Sequence, residues 1–577
     1  MRRWSGWSAP ASKKPKACEE QNMKIRELKI HNYRSIAEQT IRFGDYSLLI
    51  GPNNSGKSNV LDALRTVYEK DLKFDQDRDF PKFQTNDQES WVELEYELSQ
   101  EEAADIKKEY LIGQNRCRVR KWLWPSDKAK AGFFGYENGS LSQNLFYGWK
   151  NVAQGKLGNV IYIPAVSRLE EHTKLTGPSA LRDLINDILK PVITSSNAFT
   201  ALTEDFAKFS WNIKNEETPD KRSLSDLEAK ITDQIKEWGV SFNLGINPPQ
   251  VDDIIKNLIR YTLTDSALNT EMSPDAFGHG LQRHLIFTLI RIAAGYTASK
   301  PKSEKKEFSP EMELLLFEEP EAFLHPPQQD VLDTSLRQLA AKPGRQVIAA
   351  SHSPQFVSYN TDDLADLVRV RRVAGKTEVA QIKKVRLKEI FEDNQQIAEI
   401  LGVQAGSAEL EAVRHFLWLN PERSSLFFAN AVLIVEGLSE QVLINYLLKT
   451  GQLSSNANGV FVLETLGKYN IHRFMNLLGE FRIDHAVLHD KDANKTGSEK
   501  EKQDKLNNLI QKAKNDCTKD VYKLPNNLED FLGIQTSGER WRKAAEVLLA
   551  VQQGKVADEK IKDFKSKVSA LLKALAS

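Results

Sequence analysis

The stretch AVLIVEGLSE, residues 431–440, runs an apolar segment into Glu436, turns at Gly437 and offers a second acid at Glu440. HAVLHDKD ends another apolar run on Asp490 and Asp492, and LPNNLEDFL supplies Glu529 and Asp530. Carboxylates at the ends of neighbouring parallel strands meet along one edge of a sheet, where open α/β folds bind their ligands. Oxygen-only sets suit Mg²⁺ or Mn²⁺ rather than zinc. Enough acids are present for two ions, which could clamp the attacking and leaving oxygens of a phosphodiester. Taken singly the pieces are weak: a DxD is often a solvated loop, and LEDFL also reads as an amphipathic helix with its acids in water.

Upstream lies a separate set. LLIGPNNSGKSNVL holds GxxxxGK[ST] at Gly51, Gly56, Lys57 and Ser58, after an apolar strand and before a helix. In that context the backbone of the loop Asn53–Asn54–Ser55–Gly56 wraps phosphates, Lys57 reaches the terminal ones, and Ser58 binds Mg²⁺. The helix N-terminus adds partial positive charge. LLLFEEPEAFLHP ends an apolar run on Glu318, suited to the Mg²⁺ shell, and Glu319, suited to orienting or activating water. VIAASHSP repeats the design with His352, placed to reach a γ-phosphate. A lone histidine is more often structural, so His352 rests on its company.

The order P-loop, FGHGLQR, EEPEAFLHP, SHSP resembles the ABC-type ATPase heads of the SMC and RecF-like group. The resemblance implies that Gly278 and Gly280 of FGHGLQR (277–283) contact ATP held by another subunit, and hence a homodimer or higher oligomer through the heads. The sequence departs from that group in having Glu318 where aspartate is commoner and no serine before the glycines. The strand-EG-xx-E and DxD pieces resemble a TOPRIM domain. An ABC-type head followed by TOPRIM resembles the OLD (overcoming lysogenization defect) nucleases, over about residues 23–535. That likeness implies a DNA nuclease of bacteria or their mobile elements, several of which serve in anti-phage defence. It implies ATP with one ion, and two Mg²⁺ or Mn²⁺ ions at the TOPRIM site. Glu436, Asp490 and Asp492 would hold one ion; Glu440 and the acid of LED, preferably Glu529 but with Asp530 close behind, would serve the other. A late lysine is also implied, with Lys555, Lys560 and Lys562 as candidates, and Lys468 of LGKYN is expected near DNA phosphate. Relatives act alone, with a helicase, or with a retron reverse transcriptase and its RNA–DNA product. A RecF-like ATP-switched DNA-binding or loading protein without nuclease activity is the alternative.

These residues need an α/β frame. The expected class is α/β: an ABC-type P-loop head with a helical insertion, followed by a Rossmann-like TOPRIM domain. Residues 1–22 read as a disordered extension and 23–169 as the first ATPase lobe. Residues 170–270 read as a helical insertion for dimerisation or regulation, and 271–385 as the second lobe with signature, acids and switch histidine. A helical connector (386–428), the TOPRIM domain (429–535) and a C-terminal helical segment (536–577) complete the chain.

The 577 residues carry equal Lys+Arg and Asp+Glu, 79 each, so any nucleic-acid contact must come from a local patch. The candidate is 491–523, with nine lysines against six acids. Three distant cysteines, Cys18, Cys117 and Cys517, argue against a disulfide framework or a structural zinc and suit a reducing cytosol, which the family resemblance implies is bacterial. No apolar run is long enough to cross a bilayer, so no membrane is expected.

Overall fold

The computed structural model describes residues 22–577 apart from several segments. Those left out are 70–71, 127–130, 150–156, 166–188, 191, 221, 247–249, 252–253, 255–261, 274–275, 279, 283, 286 and 289–291. Also left out are 293–307, 309, 311, 358–360, 392–398, 401–419, 455–458, 538–539 and 577. The extension before Asn22, most of the helix expected from HGLQRHLIF and most of the connector therefore lie outside the described residues. Contacts divide the chain into two compact units: one is residues 1–162 with 306–577, the other is 163–305.

In the first unit, β1 (Lys24–Tyr33) and β2 (Ile36–Arg42) pair antiparallel, and β3 (Tyr46–Ile50) leads through the P-loop into α1 (Lys57–Tyr68). Then come β4 (Ser90–Glu97), β5 (Leu111–Ile112), β6 (Arg116–Trp124), β7 (Gly132–Glu137), β8 (Ser140–Leu145) and β9 (Asn159–Ile163). Strands β2-β1-β4-β6-β7-β8, with β5 on β6, form an antiparallel sheet. Its strand β2 alternates buried and open positions, as a sheet covered on one face does. β3, YSLLI, is buried at every residue, the mark of a central parallel strand covered on both faces.

The second unit contains α2 (Asn197–Asn215) and α3 (Leu224–Ile235), joined by a Lys214–Glu228 ion pair of 2.7 Å. It also holds a small hairpin of β10 (Leu263–Asp265) and β11 (Thr270–Met272). The hairpin stands at the end of the expected helical insertion, where short β-branched and polar residues around the TDSALNT turn favour a reversal over a helix. Residues 271–305 cluster with this unit rather than with the ATPase lobe.

Returning to the first unit, the chain forms β12 (Glu313–Glu318), α4 (Pro326–Ala340), β13 (Arg345–Ala350), β14 (Leu367–Val373), β15 (Lys376–Ala380) and α5 (Lys384–Phe391). The second sheet has the order β15-β14-β3-β13-β12-β9. Its β14, β3, β13 and β12 are parallel, so the acids of β12 and the histidine after β13 come out on the same edge as the P-loop. Strands β14 and β15 turn at Gly375, whose φ of 82° suits the reversal.

The last region alternates β16 (Ala431–Val435), α6 (Leu438–Lys449), β17 (Val460–Glu464), α7 (Lys468–Glu480), β18 (Asp484–Asp490), α8 (Gly497–Lys512), β19 (Thr518–Leu524) and α9 (Leu528–Leu532). All four strands are parallel, in the order β17-β16-β18-β19. The two final helices, α10 (Arg540–Gln552) and α11 (Asp558–Ala576), complete this domain rather than follow it. Phe564, Val568 and Leu571 of α11 are fully buried in one cluster with Leu433, Ala486 and Leu488 of the sheet. Each such side chain contributes about 1.5–3 kcal/mol of burial. The sequence sets the tail apart at 536 because helix period shows an apolar face without showing its partner.

Candidate functional site

The P-loop is held open by its neighbours. Gly51 has φ 144°, and a Cβ there would lie 1.9 Å from the carbonyl oxygen of Val370. Gly56 has φ 107°, and its Cβ would fall 2.2 Å from Thr377 Oγ1. That threonine, from β15, donates to the Ser55 carbonyl at 2.9 Å and shares a 2.7 Å hydrogen bond with Ser35, which also accepts from Asn59 of α1. Ser55 is buried, whereas Asn53 and Asn54 are exposed, with Asn54 at φ 61°.

Lys57 donates to the carbonyls of Gly51 at 2.9 Å and Pro52 at 3.0 Å. Burial pulls its pKa down to about 8, while Glu319, Glu321 and Glu318 counter that pull. Ser58 Oγ donates to Glu318 Oε1, and the other oxygen of Glu318 accepts from the Tyr162 hydroxyl at 2.5 Å. Ser58 and Glu318 therefore meet as hard oxygen donors, a pairing that fits Mg²⁺. Glu319 stands at φ 44°, a sparsely populated backbone conformation for a non-glycine residue. It faces His352, whose Nε2 lies 3.5 Å from Glu319 Oε1. Burial and the nearby Lys57 lower the His352 pKa against the pull of Glu319, so the imidazole is neutral at physiological pH. Glu321 anchors this corner: it accepts from Ser351 Oγ at 2.9 Å and from the His352 backbone N–H at 2.6 Å. Sequence reasoning passed over Glu321 and Tyr162, although Glu321 lies inside the EEPEAF motif.

Gly278 and Gly280 belong to the other unit; Gly278 is exposed and a Cβ on it would meet nothing within 4 Å. Residues 279 and 283 of that loop lie outside the described residues.

The acids at the C-terminal edge of the last sheet form a second site. Glu436 follows β16, and its Oε2 accepts the Asp490 backbone N–H at 3.2 Å. Glu440, in the first turn of α6, folds back to accept the Gly437 N–H at 3.1 Å and is only 5% exposed. Burial, then repulsion from Glu436 and Glu529, pushes the Glu440 pKa up to about 7. Burial, then Glu436, Glu440 and Asp492, pushes Asp490 up to about 10, and its buried Oδ1 has no hydrogen-bond partner among the described residues. Burial also raises Glu436, against attraction from Lys468. An orphaned carboxylate oxygen among mutually repelling buried acids is a donor set that a divalent cation satisfies.

Two lysines already balance part of this charge. Lys468 is buried and pairs with Asp492, donating also to Gln503 at 2.9 Å. Its ammonium is therefore held inside the acid cluster rather than on an open face. Lys543 of α10 reaches Glu529 Oε2 at 2.9 Å, and its charge also acts on Glu440 and Asp490. Lys543 thus stands at the cluster, whereas the candidates Lys555, Lys560 and Lys562 are exposed. It escaped notice because only the packing of α10 against α6 brings it there. Glu529 is buried, whereas Asp530 is exposed and accepts from Asn494 at 3.2 Å. Asp492 sits at φ 54°. With the lysines engaged, no three of these acids converge closely enough to hold an ion as they stand, among the described residues.

A P-loop ATPase head with a carboxylate-edged parallel domain defines the class of ATPase–TOPRIM nucleases. Residues 47–358 match the model described as "AAA domain, putative AbiEii toxin, Type IV TA system", and 427–492 match "Overcoming lysogenization defect protein-like, TOPRIM domain". The chain belongs to the OLD family, an AAA/ABC-type ATPase domain joined to an OLD-like TOPRIM domain. It is 23% identical to the Old nuclease of Escherichia phage P2 over 82% of this chain and 77% of the relative. It is 24% identical to endonuclease GajA of Bacillus cereus (strain VD045), over 82% and 75%. With the OLD nuclease of Thermus scotoductus (strain ATCC 700910 / SA-01) it shares 21% identity over 92% and 96%. Among the described residues no helix is long and apolar enough to cross a membrane.

Proposed function

We propose that this chain is an ATP-controlled, divalent-metal-dependent DNA endonuclease that nicks or cuts duplex DNA. The observation that carries the reading is the buried set Glu436, Glu440, Asp490 and Glu529, with an unpartnered oxygen on Asp490, in the same compact unit as the P-loop. Glu436, Asp490 and Asp492 would hold one ion, and Glu440 with Glu529 a second. Asp530 is left out because it is exposed and engaged with Asn494. Bound ions of this kind supply Lewis acidity and a hydroxide-like nucleophile at neutral pH. Lys468 and Lys543 hold Asp492 and Glu529 and offset negative charge as a phosphodiester approaches.

In the head, Ser58 and Glu318 would hold the ion that accompanies ATP, with Glu319 and His352 serving the terminal phosphate. The loop with Gly278 and Gly280 would complete the site of a second copy, making the working form a dimer. ATP would then act by shifting the head pair between two arrangements that differ at the TOPRIM domain. The names of the relatives, Old nuclease and endonuclease GajA, support nucleic-acid cleavage; DNA as the substrate and a role in phage defence in a bacterial cytoplasm belong to this proposal. A retron reverse transcriptase with its RNA–DNA product, or a helicase, is the kind of partner that a pull-down from the native host would test.

The test follows supercoiled plasmid converting to nicked and linear forms with Mg²⁺ or Mn²⁺, with and without ATP, for wild type, Asp490→Ala and Lys57→Ala. Cutting that disappears in Asp490→Ala, and responds to ATP only when Lys57 is present, is the expected result. ATP hydrolysis without cutting under every metal condition and with the host partner added would overturn the nuclease reading in favour of an ATP-switched DNA-binding protein.

A further inference from the structure

Glu318 stands where a shorter aspartate is commoner in related heads, and its extra methylene adds a rotatable bond. A longer carboxylate at a metal site loses more conformational freedom when it is fixed, and fixed first-shell ligands normally depend on outer hydrogen bonds. Tyr162 of β9, at the edge of the same sheet, supplies one. Its hydroxyl donates to Glu318 Oε2 at 2.5 Å, while the opposite oxygen, Oε1, is the one that meets Ser58.

The ring is fixed in turn. The Arg65 guanidinium lies 3.7 Å from the Tyr162 ring centroid. Arg65 is itself clamped by a two-pronged contact with Glu69, at 2.7 and 2.8 Å, and by Asp62 at 2.9 Å. Arg65, Asp62 and Glu69 lie on α1 or at its end, and α1 also carries Lys57 and Ser58. One rigid relay therefore runs from the P-loop helix through the Tyr162 ring to the far oxygen of Glu318.

We infer that Tyr162 is a positioning residue for the nucleotide-linked metal ion: it holds one Glu318 oxygen so that the other, beside Ser58, is presented to the cation. The inference concerns the ATP site alone and stands or falls independently of whether the TOPRIM domain cuts DNA.

The test compares wild type, Tyr162→Phe and Tyr162→Leu as full-length chains. The Phe variant keeps the ring on Arg65 and removes only the hydroxyl. Mn²⁺ is titrated with and without a non-hydrolysable ATP analogue, and the nucleotide-linked ion is singled out by its phosphorus hyperfine coupling in electron spin resonance, which TOPRIM-bound ions lack. Removing an outer-shell partner of this kind weakens metal affinity about 10–100-fold. Tyr162→Phe is expected to weaken the nucleotide-linked Mn²⁺ by about tenfold, leave metal-free analogue affinity unchanged, and lower kcat for ATP hydrolysis in a way that excess metal restores. In a Glu318→Gln background the same change should have no further effect on Mn²⁺. Wild-type Mn²⁺ affinity in Tyr162→Phe, with a defect appearing only in Tyr162→Leu, would reduce Tyr162 to packing and overturn the inference. An equal loss in the Glu318→Gln background would overturn it too, because the hydroxyl would then act through some other group.

Discussion

Arg369 is the perturbation with the most to reveal about how the two sites share one body. It lies on β14, paired beside Ile50 at the entrance to the P-loop, and is only 3% exposed. Its guanidinium turns away from the head and donates to the carbonyls of Phe427 at 3.3 Å and of Ala429, Phe481 and Arg482 at 3.1 Å each. Those carbonyls flank the start of β16 and the end of α7. Burial pulls the Arg369 pKa down to about 10, so it remains charged at neutral pH, and no carboxylate is in ion-pair range among the described residues. Arg369→Leu deletes charged hydrogen bonds worth roughly 1.5–3 kcal/mol each and strands buried carbonyls, while recovering the cost of burying a cation. The net loss should be about 3–5 kcal/mol, the range seen when one side of a buried charged arrangement is removed. Arg369→Lys keeps the charge, but its three donors cannot satisfy four carbonyls, so about 1–2 kcal/mol should be lost. Urea unfolding reads this out: with a slope near ~3 kcal/mol/M the Leu variant's midpoint falls by about 1 M or more. Limited proteolysis should also cut near residue 430 while ATP binding persists. A Leu variant with a wild-type midpoint and protease pattern would refute the reasoning that these carbonyls hold the TOPRIM domain to the ATPase sheet.

Other substitutions test narrower points. Gly56→Ala places a Cβ 2.2 Å from Thr377 Oγ1 at a φ of 107°, so equilibrium dialysis should find ATP binding reduced at least tenfold while the TOPRIM domain stays folded by circular dichroism. Lys543→Met leaves buried Glu529 without its cation; plasmid cutting should fall about 10–100-fold with ATPase activity retained, and Lys555→Met, at an exposed position, should match wild type. Lys121 is half-buried, with its ammonium on the Thr66 carbonyl, and burial lowers its pKa from 10.5 to about 8. The folded state thus disfavours the ammonium: the penalty is full below pH 8, fades as pH rises from about 8 to 10.5 while only the unfolded chain keeps its proton, and is gone above that. Lys121→Met should therefore raise thermal stability at pH 7, by about 2 kcal/mol after allowing for partial exposure, with the advantage gone near pH 11; an equal gain at both pH values would rule out this origin.

The strand-end and loop positions of the candidate residues were largely legible in the sequence, because motif spacing is local. GPNNSGKS, EEPEAFLHP, EGLSE and HDKD each hold their acids or glycines within a few residues of an apolar strand, and a parallel strand delivers whatever follows it to the sheet's C-terminal edge. The partners of those residues were not legible, since no local pattern encodes a contact across the fold. Tyr162 reaches Glu318 across 156 positions, and Arg369 reaches Phe481 across 112. Lys543 could be told from Lys555, Lys560 and Lys562 only once α10 was seen against α6, and the pairing of Lys468 with Asp492 across 24 positions appeared only in the folded chain. Glu529 and Asp530 are adjacent in the chain and chemically alike; the helical turn of α9 buries one and leaves the other in water. Sequence alone determined that acids stand at strand ends and that a phosphate-type loop follows β3, because both are local patterns. Tertiary structure decided which cations and donors hold those acids, because burial and long-range pairing exist only after the sheets and helices have packed.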